Sequence, residues 1–413
     1  MSNYQRTKKS CYFAYLAMSS VFSLPPVLFM TFREMYGISY TLLGTLVLVN
    51  FCTQLAIDLI FTFFTRYFSV QKTVRVMPLL TALGLLIYAL SPKLFPDHVY
   101  IGLLLGTVIF SVAAGLCEVL LSPVVAALPS ENPERDMSML HSLYAWGVVS
   151  VVLVSTLFLA IFGNHNWMYL TLFLAIFPLV ACYLFCTSPI PPMDLGDKPE
   201  ENHHSHRRWG LALCVGCIFL GSAAENVMTN WISGYMEKAL HISKVYGDIF
   251  GMAAFAVFLG MGRTIYAKYG KHILKSLMLG MAGAVVCYVI AGISNLGFVA
   301  LLACVLNGLA TSMLWPGTLI LMEEKIPHPG VAAYALMAAG GDFGASIAPQ
   351  LMGIVVDKVS LSNWASQLGN RWMLTTDQIG MKTGMLVAAL FPLVGVVLLI
   401  VMKNYFAKQK SSQ

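Results

Sequence analysis

The chain returns again and again to apolar stretches long enough to cross a bilayer. They lie at roughly 12–33, 40–64, 74–91, 99–128, 138–162 and 167–187, then at 210–236, 244–267, 272–294, 296–322, 331–357 and 379–403. A hydrocarbon core takes about 20 apolar residues per helix. Transmembrane β-strands would instead alternate over about 10 residues. The pattern predicts an all-α membrane protein with twelve transmembrane helices. Composition agrees: 58% of the residues are hydrophobic and only 11% are charged, where a soluble domain carries about 25% charged residues. So few charges cannot cover so much apolar surface, which excludes a soluble enzyme, a nucleic-acid binder or a secreted disulfide scaffold. The net charge of +6 is spread over short loops, so no nucleic-acid partner is expected. The partners implied are the lipid bilayer and a small molecule.

The helices fall six and six. A bundle over 1–187 is followed by a polar linker, 188–209, and a second bundle over 210–413. The linker carries Pro189, Pro191, Pro192, Glu200, Glu201 and the run His203-His204-Ser205-His206; a solvated linker explains that run better than a metal site. Placing the N-terminus in the cytoplasm puts 18 of the 25 Lys and Arg residues on the inner side, as the positive-inside rule requires. Both termini and the linker are therefore expected in the cytoplasm, with the chain a multi-pass monomer of the plasma membrane. Arg6, Lys8 and Lys9 precede an apolar run too long for a cleavable signal peptide. The nine cysteines lie in or beside apolar segments, and even Cys214-x-x-Cys217 reads as small helix residues. No cofactor or metal is expected.

Ionisable groups at bilayer depth need a cavity, a partner or a proton. Asp58, Glu118, Glu225 and Asp342 lie well inside predicted helices 2, 4, 7 and 11, with Asp248 nearer the outer end of helix 8. No Lys or Arg falls in the middle of a predicted span, so none of these acids is expected to have a cation at its depth. Such a carboxyl is stable neutral when dry and charged when wet, and can carry a proton; the competing role is a fixed hydrogen bond between helices. Asn50, Gln54 and Asp58 recur every four residues and share one helix face. So do Asn307, Thr311 and Trp315, while Glu225 stacks with Thr229, Asn226 with Asn230, Glu118 with Ser122, and Tyr334 shares a face with Asp342. Polar stripes must face protein or water, and together they suggest a polar cavity where the halves meet. Trp146, Trp231 and Trp315 could offer sugar-binding faces beside amides, or serve as packing and interfacial residues. Pro25-Pro26, Pro123 and Trp315-Pro316-Gly317 mark expected bends. His141 is better read as a capping residue than as a proton relay.

The two halves echo each other in basic turns, Thr65-Arg66-Tyr67 and Gly262-Arg263 with Lys268, Gly270 and Lys271. In this layout the chain resembles the major facilitator superfamily, over essentially its whole length. Ala267 and Thr65 stand where that family's loop signature carries its acid. Gly221-Ser222-Ala223-Ala224-Glu225 followed by Trp231, and Trp315-Pro316-Gly317 continuing through Glu323, Pro327, Gly341-Asp342, Pro349, Gly353 and Asp357, are similar to the fucose/glucose permease branch. The resemblance implies a sugar:proton symporter with a helix 4 acid, matched by Glu118, in proton coupling. His141-Ser142-Leu143-Tyr144-Ala145-Trp146-Gly147 stands where drug antiporters carry their glycine-proline signature.

The expectation is a secondary transporter moving a sugar or polyol with protons by alternating access. Glu118, Glu225, Asp58 and Asp342 are its proton-coupling candidates. Asn50, Gln54, Asn226, Asn307, Thr311 and Trp315 are its substrate-binding candidates, and Arg66, Arg263 and Lys268 its gating residues. No P-loop is present to bind ATP. Efflux of an amphipathic compound is the alternative within transport. A membrane receptor or enzyme would need a soluble domain or a catalytic constellation, and neither is visible.

Overall fold

The structure, a computed structural model, describes residues 4–64, 69–131, 133–191, 205–270, 272–326 and 330–411. Every regular element among them is a helix. The chain packs as two compact units: Met1–Ile38 with Val49–Asp197, and Ser39–Leu48 with Lys198–Gln413. The first turns of the second helix thus pack with the unit built from the C-terminal half.

The first unit holds α1 (Gln5–Tyr36), most of α2 (Tyr40–Phe64), α3 (Val70–Leu94), α4 (Val99–Ala126), α5 (Pro133–Phe162), α6 (Trp167–Leu174) and α7 (Ile176–Cys186). α1 runs unbroken through Pro25 and Pro26 and is buried over most of its surface. It stops at Gly37, which takes the left-handed φ of 65° and returns its N–H to the Arg33 carbonyl at 3.0 Å. α3 and α4 pack backbone to backbone. A Cβ on Gly106 would sit 2.8 Å from the Gly84 carbonyl oxygen, so only glycine permits this contact. Phe32, Tyr88 and Trp167 cluster edge to face, with Phe32 and Trp167 ring centres 4.9 Å apart. The Trp167 indole donates to Tyr36 Oη at 3.2 Å. The sixth apolar stretch, expected as one helix, is jogged at Ala175 between α6 and α7.

The second unit holds α8 (Ser205–Leu240), α9 (Lys244–Tyr246), α10 (Ala254–Tyr269), α11 (Ile273–Ile293), α12 (Gly297–Thr311), α13 (Pro316–Lys325), α14 (Gly330–Ser360), α15 (Asn363–Trp372), α16 (Thr376–Ala388) and α17 (Leu390–Ser411). A π-helical stretch, Gly247–Ala253, joins α9 to α10. The expected bend near Trp315 is a true break between α12 and α13, where Pro316 occupies the first turn of α13. The stretch after α14 is more ordered than a loop: it contains α15, capped by the Ser362 hydroxyl accepting from Ala365 N at 3.1 Å. A reciprocal capping box between Thr375 and Gln378 opens α16.

α14 also anchors the start of α2. The Asp357 carboxylate accepts from the Thr41 N–H at 2.6 Å and the Tyr40 N–H at 3.2 Å, capping that helix end. A Cβ on Gly353 would collide with the Tyr40 carbonyl oxygen. The Tyr40 ring is fully buried and lies 5.9 Å from Trp231.

Among the described residues, ten helical segments are long and apolar enough to cross a membrane. α5 and α14, with 30 and 31 residues, complete twelve spans, since a membrane crossing takes about 20 residues. The fold is that of an all-α, multi-pass membrane protein.

Candidate functional site

In the first unit the polar stripe of α2 is pinned to α4. Gln54 Nε2 donates to Asn50 Oδ1 at 3.0 Å, and Ser111 Oγ of α4 lies 2.6 Å from the same oxygen. Asn50, Gln54 and Ser111 are all buried. Gly115 makes the approach possible, because a Cβ there would already stand 3.1 Å from Ile57 Cβ. Asn50 and Gln54, expected to line a cavity, are therefore closed into an interhelical network. Asp58, one turn further along the stripe, is also buried.

Glu118 behaves differently. It was expected to be buried, yet it is exposed. It lies seven residues after Ser111, on the same face of α4. The exposed apolar stripe of that helix, Ile101, Leu105 and Val108, is about a third of a turn away. A bilayer would cover that stripe. Glu118 thus shares the helix face that Ser111 turns toward α2, buried at Ser111 and exposed at Glu118. Its expected stacking partner Ser122 has a side chain outside the described residues.

In the second unit Glu225 does have a cation at its depth, contrary to the sequence expectation. Arg263 Nη2 reaches Glu225 Oε1 at 3.3 Å, and Arg263 Nε donates to the Ser312 carbonyl at 3.0 Å. That carbonyl lies at the α12–α13 break, where backbone groups lose their helical partners. Arg263, assigned to a loop by its nearness to Lys268, instead bridges a broken helix to an intramembrane acid. The exposed apolar side of α10 runs through Val257, Met261 and Ile265; Arg263 projects from roughly the opposite side. The side chains of Arg263 and Glu225 are 38% and 16% exposed. Glu225 Oε2 is buried without a hydrogen-bond partner.

Most of the other expected site residues of the second unit are buried. Asn226 is partly exposed and bonds the Ser222 carbonyl at 3.0 Å. Asn307 and Thr311 are fully buried on α12, where the Thr311 hydroxyl donates to the Asn307 carbonyl at 2.8 Å. Trp315 sits at the helix break with its ring against Gly341. Asp342 is buried on α14. Asp248 is fully buried in the π-helical stretch and accepts from the Ser233 hydroxyl. Trp231 is a packing residue, fully buried and donating to the Pro349 carbonyl at 3.0 Å. Arg66, with Thr65 and Tyr67, lies outside the described residues, as do His203 and His204. Lys268 falls in the last turn of α10; its side chain, like those of His141, Tyr334 and His206, lies outside them too.

Away from the spans, Asp136 near the start of α5 gathers three donors. Lys8 Nζ and Ser130 Oγ each lie 2.6 Å from Oδ2, and Tyr12 Oη is 3.3 Å from Oδ1. The Lys8 and Ser130 hydrogen bonds hold this carboxyl below the usual carboxylate range. The same end of α1 is tied to the chain leaving α7, through Thr7 Oγ1 to the Pro189 carbonyl at 2.6 Å and Ser10 Oγ to Ser188 Oγ at 3.1 Å.

The Major Facilitator Superfamily profile matches residues 11–349. No curated protein matches the chain. Among solved structures, a bacterial homologue of the human lysosomal transporter Spinster, inward-facing and occupied, superposes with a TM-score of 0.75 at 13% identity. That match covers 99% of this chain and 98% of the other. A D-xylose-proton symporter gives 0.72 at 17% identity, covering 94% and 97%. The fucose:proton symporter of E. coli gives 0.60 at 13% identity, covering 97% and 99%. At these identities the likeness is one of fold.

Proposed function

Since the chain belongs to the major facilitator superfamily, we propose that it is a secondary transporter that moves a small hydroxylated solute, a sugar or polyol, together with protons by alternating access across the plasma membrane. In this reading the termini are cytoplasmic, Glu118 carries a proton, and the Glu225–Arg263 pair takes part in binding and coupling. Asp58 and Asp342 support these acids.

The observation that carries the reading is the Glu118 carboxylate. It is exposed inside a membrane-spanning helix, on a face turned away from the exposed apolar stripe. A carboxylate held there against hydrocarbon is expensive, and one facing water is not. A site that water reaches in one state and loses in another is a site that exchanges protons. The substrate class rests on Asn226, partly exposed beside Glu225, because amide and aromatic side chains suit hydroxylated ligands.

The test is uptake into proteoliposomes over a panel of monosaccharides and polyols under an imposed pH gradient. Glu118→Gln is expected to weaken proton-driven accumulation while leaving downhill exchange of the same solute. Undiminished accumulation in Glu118→Gln refutes the proton role.

A further inference from the structure

We infer that the transported solute carries a carboxylate, as a sugar acid does, and that Arg263 is its anchor, with Glu225 occupying the guanidinium when the site is empty. The inference rests on the transport reading above and narrows its substrate class.

The ion pair is unsaturated on the guanidinium side. A guanidinium has five N–H donors arranged to grip a carboxylate with two parallel bonds. Arg263 uses Nε on the Ser312 carbonyl and makes a single contact, at 3.3 Å, with Glu225. Among the described residues its remaining donors make no hydrogen bond. The guanidinium is the more open member of the pair, 38% exposed against 16%. Glu225 meanwhile keeps one oxygen buried and unbonded. The arrangement is poor as a permanent salt bridge and suits a place-holder that a better-fitting carboxylate displaces.

Charge balance then links the solute to the proton. A proton taken from water by Glu225 breaks its pairing with Arg263. One positive charge is left within a membrane span, an unfavourable state. An incoming monoanion restores neutrality and forms the bidentate grip. On the other side of the membrane the proton leaves Glu225, the carboxylate pairs again with Arg263, and the anion is expelled. Through Glu225 one proton crosses with one monoanion and no net charge, in addition to the proton assigned to Glu118, and each must raise the affinity for the other by the same factor. A single arginine matches a single negative charge, so a doubly charged phosphate fits less well than a carboxylate.

Arg263 pairs with Glu225, and other titratable groups lie on the elements around them. Tyr288 of α11 donates to the adjacent Ala224 carbonyl at 2.6 Å, with Cys304 and Cys287 beside it. Glu324 of α13 is set against Tyr266, nearly a turn along α10 from Arg263. Asp342 is on α14, whose Gly344 packs on Phe219 and Ala223 of α8.

The experiment uses the full chain in proteoliposomes with labelled gluconate and glucuronate as probes, and glucose and glucitol as their neutral counterparts. Wild type is expected to accumulate the acids under an inward proton gradient and to bind them at least tenfold more tightly at pH 6 than at pH 8. Glu225→Gln should bind them tightly at both values, exchange them, and accumulate them less under the gradient. Arg263→Gln should lose acid binding by at least tenfold, and Arg263→Lys should keep part of it. Melting of the detergent-solubilised variants separates these losses from misfolding. Accumulation of the neutral sugars, unaffected by excess gluconate or by Arg263→Gln, overturns the acid assignment and the role of the pair, and leaves proton-coupled transport through Glu118 standing. Failure of every hydroxylated solute, acidic or neutral, to move overturns both.

Discussion

Ser111 and Glu118 occupy one face of α4, two turns apart, and their surroundings differ. Ser111 is buried against Asn50, while Glu118 is exposed. Replacing Ser111 with Ala removes one bond to an amide that keeps its contact with Gln54. A loss of about 1 kcal/mol is expected, read as a lower melting temperature with transport retained. If Asn50 instead bound solute, Ser111→Ala would change affinity more than stability. Asp136 gives a second residue-scale test. Its folded carboxyl is held low by Lys8 and Ser130, so the stability it confers is complete above the ordinary carboxylate range, near pH 4. It is lost as pH falls through the lower folded value. Asp136→Asn should melt below wild type at pH 7, with the gap closing in strong acid; a gap that persists there contradicts the assignment. At this scale the sequence was only half legible. Four-residue spacing found the Asn50–Gln54–Asp58 stripe, because side chains four apart share a helix face. It could not say whether the stripe was sealed or open, since Ser111 approaches from a helix 61 residues away. The Glu225–Arg263 pair stayed hidden for a related reason. Arg263 is near other basic residues at a span end, and the reach of a long side chain along its helix does not show in hydropathy.

Among the elements, α14 shows how a helix end is fixed by chemistry three hundred residues away. Asp357 accepts both N–H groups at the start of α2, and Gly353 leaves the room in which the two backbones meet. Asp357→Asn is expected to destabilise by about 1–2 kcal/mol, the worth of a charged helix cap. Gly353→Val should do more, because its Cβ has nowhere to go. Unchanged melting of both variants would mean that α2 begins free of α14. The apolar stretches made the helices readable almost to their ends. The jog at Ala175, the π-helical stretch at Gly247–Ala253 and α15 were not, since each depends on tertiary packing or on capping more than on hydropathy. The α12–α13 break was visible beforehand because Pro316 cannot continue a helix from Trp315 without losing a bond.

For the whole molecule, twelve spans and a family match over most of the chain agree with what hydropathy implies. What the residues add is a pair of acids, one in each compact unit, that sit where hydrocarbon alone would not tolerate them. The central claim is that a proton accompanies the solute through Glu118. It is tested by recording external pH in a lightly buffered suspension of vesicles as the transported solute is added. The account predicts prompt alkalinisation as solute enters, in fixed proportion to the amount taken up, and fewer protons per solute from Glu118→Gln at equal protein. Solute entry with no pH change in the wild type, or identical alkalinisation from Glu118→Gln, contradicts it.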